Sequence, residues 1–267
     1  MVELLNIQEN KWDDSHRPWP LPNLPWGMKQ TWSDLLFAHY PVKYEVLRKL
    51  VPNAMELDSY DGVCWVGVVP FRMSGVRLRG LPSVPGTAEF PELNVRTYVT
   101  IDGKPGIYFF SLDADNWPAV KGARTFFHLP YHYAKMDIKN FDDTVLFESK
   151  RRDQSDIVFA ARYKPVSEPF IAVNGSFEEW IAERYCFYTL NASGVPVRCD
   201  ILHHPWILQE AEGEITLNTT LSMQGIIVEN DQPILHFSKK IDVRAWPLVS
   251  PSTGRLRFRV SELCFFP

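Results

Sequence analysis

Glu92, Asn94 and Arg96 alternate along the segment FPELNVRTYV. A strand there would put all three on one face, with Leu93, Val95 and Thr97 on the other. That polar face is either solvated or turned into a lined cavity, because a buried charge without a partner is costly. Turned inward, Arg96 could hold a substrate carboxylate while Glu92 handles protons. A second group lies in RTFFHLPYHYAKM, residues 124–136. Arg124 opens it, and the apolar pair Phe126-Phe127 leads into Pro130. The stretch reads as a strand halted by proline, with Tyr131 and His132 presented at its end. An imidazole that titrates near neutrality suits general acid–base work.

Other chemistries find little support. His128 and His132 are four apart, but Pro130 between them argues against one helical face. Cys199 with His203-His204 is a loose cluster. Neither has the spacing of a zinc site and no HExxH is present, so these histidines read as structural and no metal is expected. The glycine-rich phosphate loops and the GxSxG elbow of hydrolases are absent.

The elements that must position these residues are mostly strands. GVCWVGVVPF (62–71), LNVRTYVTI (93–101), GIYFFSLD (106–113), TVLFESKRR (144–152), DIVFAARYKP (156–165), RYCFYTLNA (184–192) and ILHFSKKIDVRAW (234–246) are rich in β-branched and aromatic residues. Turn signals such as Asp61-Gly62, Asp102-Gly103 and Ser193-Gly194 divide them. Two helices are expected. VKYEVLRKLVP has apolar residues at helical spacing and ends at Pro52. SFEEWIAERY opens with Ser176 and Glu179 in a capping-box pattern. Residues 72–92 form the longest stretch without periodicity and read as a loop. Residues 12–27, dense in Pro and Trp, read as an arm strapped over the fold by Trp19 and Trp26, the alternative being a ligand for a proline-reading domain.

The chain of 267 residues is 45% hydrophobic and 13% aromatic, enough for a sizeable core, and its net charge of −4 gives no pull toward nucleic acid. The N-terminus lacks a signal-peptide pattern and no apolar run is long enough to span a membrane. Four scattered cysteines fit a reduced, cytoplasmic chain, and the three N-x-[ST] matches are then chance. One mainly β (α+β) domain is expected over 28–267, preceded by the 1–27 arm.

MKQTWSDLLFAHYPVKYEVLRKLVPNAMELDSYDGVCWVGVVPFRMSGVRLRG, followed by FPELNVRTYV, GKPGIYFFSLDA and GARTFFHLPYHYAKM, resembles the YqjF-like family of uncharacterised bacterial proteins. More distantly, LRKLVPNAMELD, FPELN and SLDADNWPAVKGAR running into FFHLPYHYAKM resemble the acetoacetate decarboxylases. That resemblance implies an antiparallel β-barrel or cone with a few short helices, no cofactor, and possible homo-oligomers. It places Glu92 on the decarboxylases' pocket glutamate and Leu129-Pro130 on their aromatic-proline pair. Tyr131 and His132 then fall where those enzymes carry two lysines, the first forming a Schiff base with the keto acid. Val66 falls near a second pocket glutamate, and no arginine stands near Gln30–Trp32 to match theirs. A phenol and an imidazole cannot form an imine, so decarboxylation by that route is not expected. Lys121 and Lys135 lie in the same segment but off the nucleophile position.

Three functions follow. The pocket binds a small organic ligand between walls of Trp65, Tyr98, Phe126 and Tyr131. Alternatively it turns over a small organic acid, with Tyr131, His132 and Glu92 as acid and base and Arg96 or Arg124 on an anionic group. In the third, Tyr131 and His132 only fill space that two lysines occupy elsewhere, in a structural or interaction protein.

Overall fold

The structure, a computed structural model, describes residues 12–82, 89–229 and 231–251. The N-terminal stretch read for a signal pattern, Cys264 and the middle of the 72–92 segment lie outside the described residues.

Among the described residues, thirteen strands form a large curled sheet. In chain order they are β1 (Met28–Val42), β2 (Glu56–Leu57), β3 (Cys64–Leu78), β4 (Glu89–Ile101), β5 (Lys104–Ala114), β6 (Tyr131–Phe141) and β7 (Thr144–Arg151). They continue with β8 (Val158–Pro165), β9 (Phe170–Ile171), β10 (Cys186–Leu190), β11 (Pro196–Leu202), β12 (Ile207–Asn218) and β13 (Ile234–Ala245). The neighbours run β2-β4-β3-β1-β13-β11-β10-β5-β6-β7-β8-β12-β9, and extra pairings of β4 with β5 and β13 with β12 bring the ladder back on itself. Pairing is antiparallel except where β5 meets β6 and β10.

Long strands buried on both faces explain the near-continuous apolar runs. In β1, Leu35 and Phe37 join one core cluster while Leu36 and Ala38 join another. β3 alternates likewise, with Val69, Phe71 and Met73 in the first cluster and Val66 and Val68 in the second. Each fully buried Phe or Leu contributes about 1.5–3 kcal/mol of apolar transfer energy. Leu93 and Val95 of β4 face the second cluster, against β6, β7 and β8. Their alternation turns Glu92, Asn94 and Arg96 to the other, cavity-facing side, and all three are buried.

The three α-helices among the described residues are short. α1 (Tyr44–Leu50) stops at Val51, before Pro52. In α3 (Phe177–Ala182), Ser176 accepts a hydrogen bond from the Glu179 N–H, and the Glu179 carboxylate accepts one from the Gly175 N–H. α2 (Trp117–Phe127) corrects the sequence reading: Phe126-Phe127 end a helix rather than a strand. The signal was present. Asn116 Oδ1 accepts the Ala119 N–H at 3.0 Å, Pro118 sits in the first turn, and His128 closes the helix in the left-handed region at φ 51°. Pro130 therefore precedes a strand, and Tyr131 begins β6. The segment read as a loop is also partly ladder, since β3 runs on to Leu78 and β4 starts at Glu89.

Residues 12–27 are tied down through a buried ionic knot. Arg17 and Arg198 both pair with the fully buried Asp200, at 3.2 and 3.0 Å, and the Trp19 indole donates to the same carboxylate at 2.9 Å. Trp26 packs beneath the Arg79 and Arg244 guanidiniums. Among the described residues, no helix is long and apolar enough to cross a membrane.

Candidate active or binding cavity

A cavity of about 640 Å³ lies inside the curl of the sheet. Its walls are mostly apolar: Trp32, Met73, Phe90, Ile107, Leu112 and Trp206 are representative. One side is formed by α2, which contributes Ala119, Lys121, Gly122 and Phe126. Into this apolar chamber β4 sends three polar side chains, Glu92, Asn94 and Arg96, and β6 sends Tyr131.

Glu92 and Tyr131 form the best-defined polar pair. The Tyr131 hydroxyl donates to Glu92 Oε2 at 2.9 Å. They meet because β4 and β6 both flank β5, whose Ala114 pairs with Glu92 and whose Leu112 pairs with Tyr131. Burial raises the Glu92 carboxyl to about 8; the Tyr131 hydrogen bond opposes the rise and the Asp113 charge adds to it. Glu92 is therefore mostly protonated at neutral pH, a proton donor in an apolar setting. Burial, and then Glu92 itself, drive the Tyr131 phenol well above its ordinary value. Asp113 is drawn up to about 6 by burial, held down in part by Arg151, whose Nε donates to it at 2.8 and 3.1 Å.

Arg96 is 5% exposed, and a described carboxylate stands nowhere within 4 Å of its guanidinium. Its Nε has no hydrogen-bond partner. Arg96 lies across Gly67, its partner on β3, where a Cβ would sit 3.5 Å from both Arg96 Cγ and Nε.

The remaining residues singled out from the sequence fall elsewhere. His132 is the next residue along β6 from Tyr131, so strand alternation turns it away from the chamber. Its Nδ1 lies 3.6 Å from Asp153, and burial with the Arg151 charge lowers its pKa. Arg124 uses its Nε to hold the Tyr131 carbonyl at 2.6 Å, so it braces the strand rather than lining the chamber. Trp65 packs on Phe177, with ring centroids 4.6 Å apart. Tyr98 is fully buried behind the wall, its hydroxyl 2.5 Å from His39 Nε2 and donating to the Ile181 carbonyl. Phe126 does line the chamber, with Lys121 on the same helix.

Arg184 and Trp206 also line the chamber and were not read from the sequence as site residues. Arg184 follows α3 and is 3% exposed, with Nη1 on Asp58 at 2.6 Å and Nε on the Trp180 carbonyl. A charge beside an apolar run marked it as it marked Arg96. Trp206 carried no such signal. Among the described residues no group of His, Cys, Asp and Glu could hold a metal ion. His203 also lines the chamber, its ring nitrogens directed at the carbonyls of His204 and Arg184.

Comparison with known proteins follows the same lines. The family model DUF2071, described as an uncharacterized conserved protein, matches residues 29–242. An uncharacterized protein YqjF of Bacillus subtilis (strain 168) is 50% identical over 228 residues, covering 85% of this chain and 94% of the relative. Acetoacetate decarboxylase from Legionella pneumophila superposes with a TM-score of 0.56 at 17% identity, over 89% of this chain and 94% of its own. An enduracididine biosynthesis enzyme complexed with pyruvate gives a TM-score of 0.56 at 7% identity, over 85% of this chain and 91% of its own. At those identities the solved structures define the fold alone: a large curled, acetoacetate decarboxylase-like sheet.

Proposed function

The chain belongs to the DUF2071 family of uncharacterized conserved proteins, and we propose that it binds a small organic ligand in its central chamber. One observation carries this reading. A 640 Å³ cavity with mostly apolar walls contains a buried, hydrogen-bonded Glu92–Tyr131 pair. Its volume lies within the range of about 300–1,000 Å³ of small-molecule sites, and a few convergent polar groups among apolar walls suit selective binding. Glu92, protonated at neutral pH, would donate to a ligand oxygen, and Phe126 of α2 would cover the ligand's apolar body.

Native mass spectrometry of gently purified protein, with titration of a solvatochromic apolar dye, tests the reading. A defined small molecule released on denaturation, able to displace the dye, is the expected result. A chamber that neither retains a compound nor binds the dye overturns it.

A second reading, acid–base turnover of a small organic acid, is favoured by the Glu92 carboxyl at about 8 beside the Tyr131 hydroxyl. Such a group is poised to give and take a proton near neutrality. His132 has no part in it. Schiff-base chemistry is not proposed, since Tyr131 and His132 stand at the positions that resemble the lysine pair. Borohydride reduction with a panel of keto acids is expected to label nothing. Covalent labelling at Lys121, which lines the chamber from α2, would return an imine mechanism to the field.

A further inference from the structure

Several polar atoms around the chamber are sealed off from its open space. Arg96 Nε, Arg184 Nη2, Trp206 Nε1 and Asn94 Oδ1 are closed off and unmatched, so none of them can meet a ligand. Glu92 differs. Its Oε2 accepts from the Tyr131 hydroxyl, while its Oε1 has no partner among the described residues and is not one of the sealed atoms. Oε1 therefore opens on the chamber that Glu92 lines. Asn94 lies two residues along β4 on the same face, about 7 Å away. Its Oδ1 is the sealed end of the amide, and its Nδ2 is the open one.

Oε1 carries the proton. Glu92 is 2% exposed, and the strand partners that flank it, Phe71 on β3 and Ala114 on β5, bring no charge. Among the described residues, the side chains that act on it are Tyr131 and Asp113, neither of them cationic. A carboxylate buried without a cation takes up a proton. The Tyr131 hydrogen bond occupies Oε2, so the proton goes to Oε1. Both open polar atoms are then donors.

We propose that the chamber takes an uncharged lipophilic carbonyl compound, its carbonyl oxygen on Glu92 Oε1 and its body along the apolar wall. This names the ligand class for the binding reading above and rests on it. A carbonyl oxygen only accepts, so it meets these donors without bringing an unmatched donor of its own. An anion would forfeit its hydration in the setting that keeps Glu92 neutral. The contact lasts only while Oε1 holds its proton, because an ionised carboxylate cannot donate. Above about pH 8 that donor is lost. Other groups around the chamber do not switch there: Tyr131 stays well above its ordinary value, Cys186 lies at about 12, His203 is lowered, and Asp113 behind the wall lies at about 6. Arg96 and Arg184 keep their guanidinium charge, and Lys121 is exposed on α2.

Calorimetric titration of the whole chain with 2-acetylnaphthalene and 2-isopropenylnaphthalene, alike in shape but for C=O against C=CH2, reads the contact as a ratio of affinities. In the native chain the preference for the ketone is expected to fall about ten-fold between pH 7 and pH 9.5, the worth of one hydrogen bond. In Glu92→Gln, whose amide keeps a donor at every pH, it is expected to stay flat. In Glu92→Leu it is expected to be low throughout, with 2-isopropenylnaphthalene still bound and circular dichroism reporting the native fold. A ratio that ignores pH in the native chain, or is undiminished in a folded Glu92→Leu, overturns the carbonyl proposal and leaves the binding reading standing. Tighter binding of 2-naphthoate than of 2-acetylnaphthalene at pH 7 does the same. If Glu92→Leu does not fold, the pH profiles of the native chain and Glu92→Gln decide alone. Failure of all three compounds to bind removes the proposal and the reading together.

Discussion

The Tyr131 hydroxyl donates to Glu92 Oε2 at 2.9 Å, from strands that do not pair with each other at those residues. β5 sets the distance, since it pairs with both. The pair thus depends on three strands being in register, and its properties report on the integrity of the chamber.

Glu92 should make stability depend on pH. Its carboxyl titrates at about 8 in the folded chain against 4.5 when free. Between those values the folded state holds a proton that the unfolded state has lost, so stability falls as pH rises through that window. The loss is on the order of 5 kcal/mol by linkage. Asp113, at about 6, acts with the same sign over a lower range, so a substitution isolates Glu92. Urea denaturation of Glu92→Gln should match the native chain near pH 5 and exceed it at pH 8.5.

Tyr131→Phe removes the hydrogen bond that holds the Glu92 carboxyl down, so the carboxyl should titrate still higher. The loss should cost about 1–3 kcal/mol for the partner left unmatched. Infrared difference spectra of the protonated carboxyl band, followed against pH, check the direction.

His132→Ala should leave ligand affinity unchanged, because the ring faces Asp153 on the opposite side of β6. A dye-displacement titration that weakens in a folded His132→Ala would contradict the strand geometry.

Asp200→Ala leaves Arg17 and Arg198 buried without their common partner. Breaking a buried pair in this way costs about 3–5 kcal/mol. Residues 12–27 should also become sensitive to limited proteolysis, since Trp19 loses its acceptor.

Two glycines should respond in opposite directions. A Cβ on Gly106 would meet Cys186 Sγ at 2.6 Å and the Cys186 carbonyl at 2.9 Å, so Gly106→Ala should lower the melting temperature. Gly122 lies inside α2 with nothing within 4 Å of an added Cβ, so Gly122→Ala should stabilise by about 1 kcal/mol.

By itself the sequence determined the fold class and its family, and most of the interior strands. Their β-branched and aromatic runs leave few alternatives, and Ser176 and Pro52 punctuate two helices by local chemistry alone. It also determined that Glu92, Asn94 and Arg96 share a face, because strand alternation is a property of the chain. It left open which way that face points, since β4 is buried on both sides and its pattern carries no contrast between water and core. Only the tertiary structure decided that. It turned the three inward, brought Tyr131 to Glu92 across β5, and separated Tyr131 from its neighbour His132. It also added Arg184 and Trp206 from distant loops. Cavities are built from residues far apart in the chain, and no local pattern encodes the register of non-adjacent strands that brings them together.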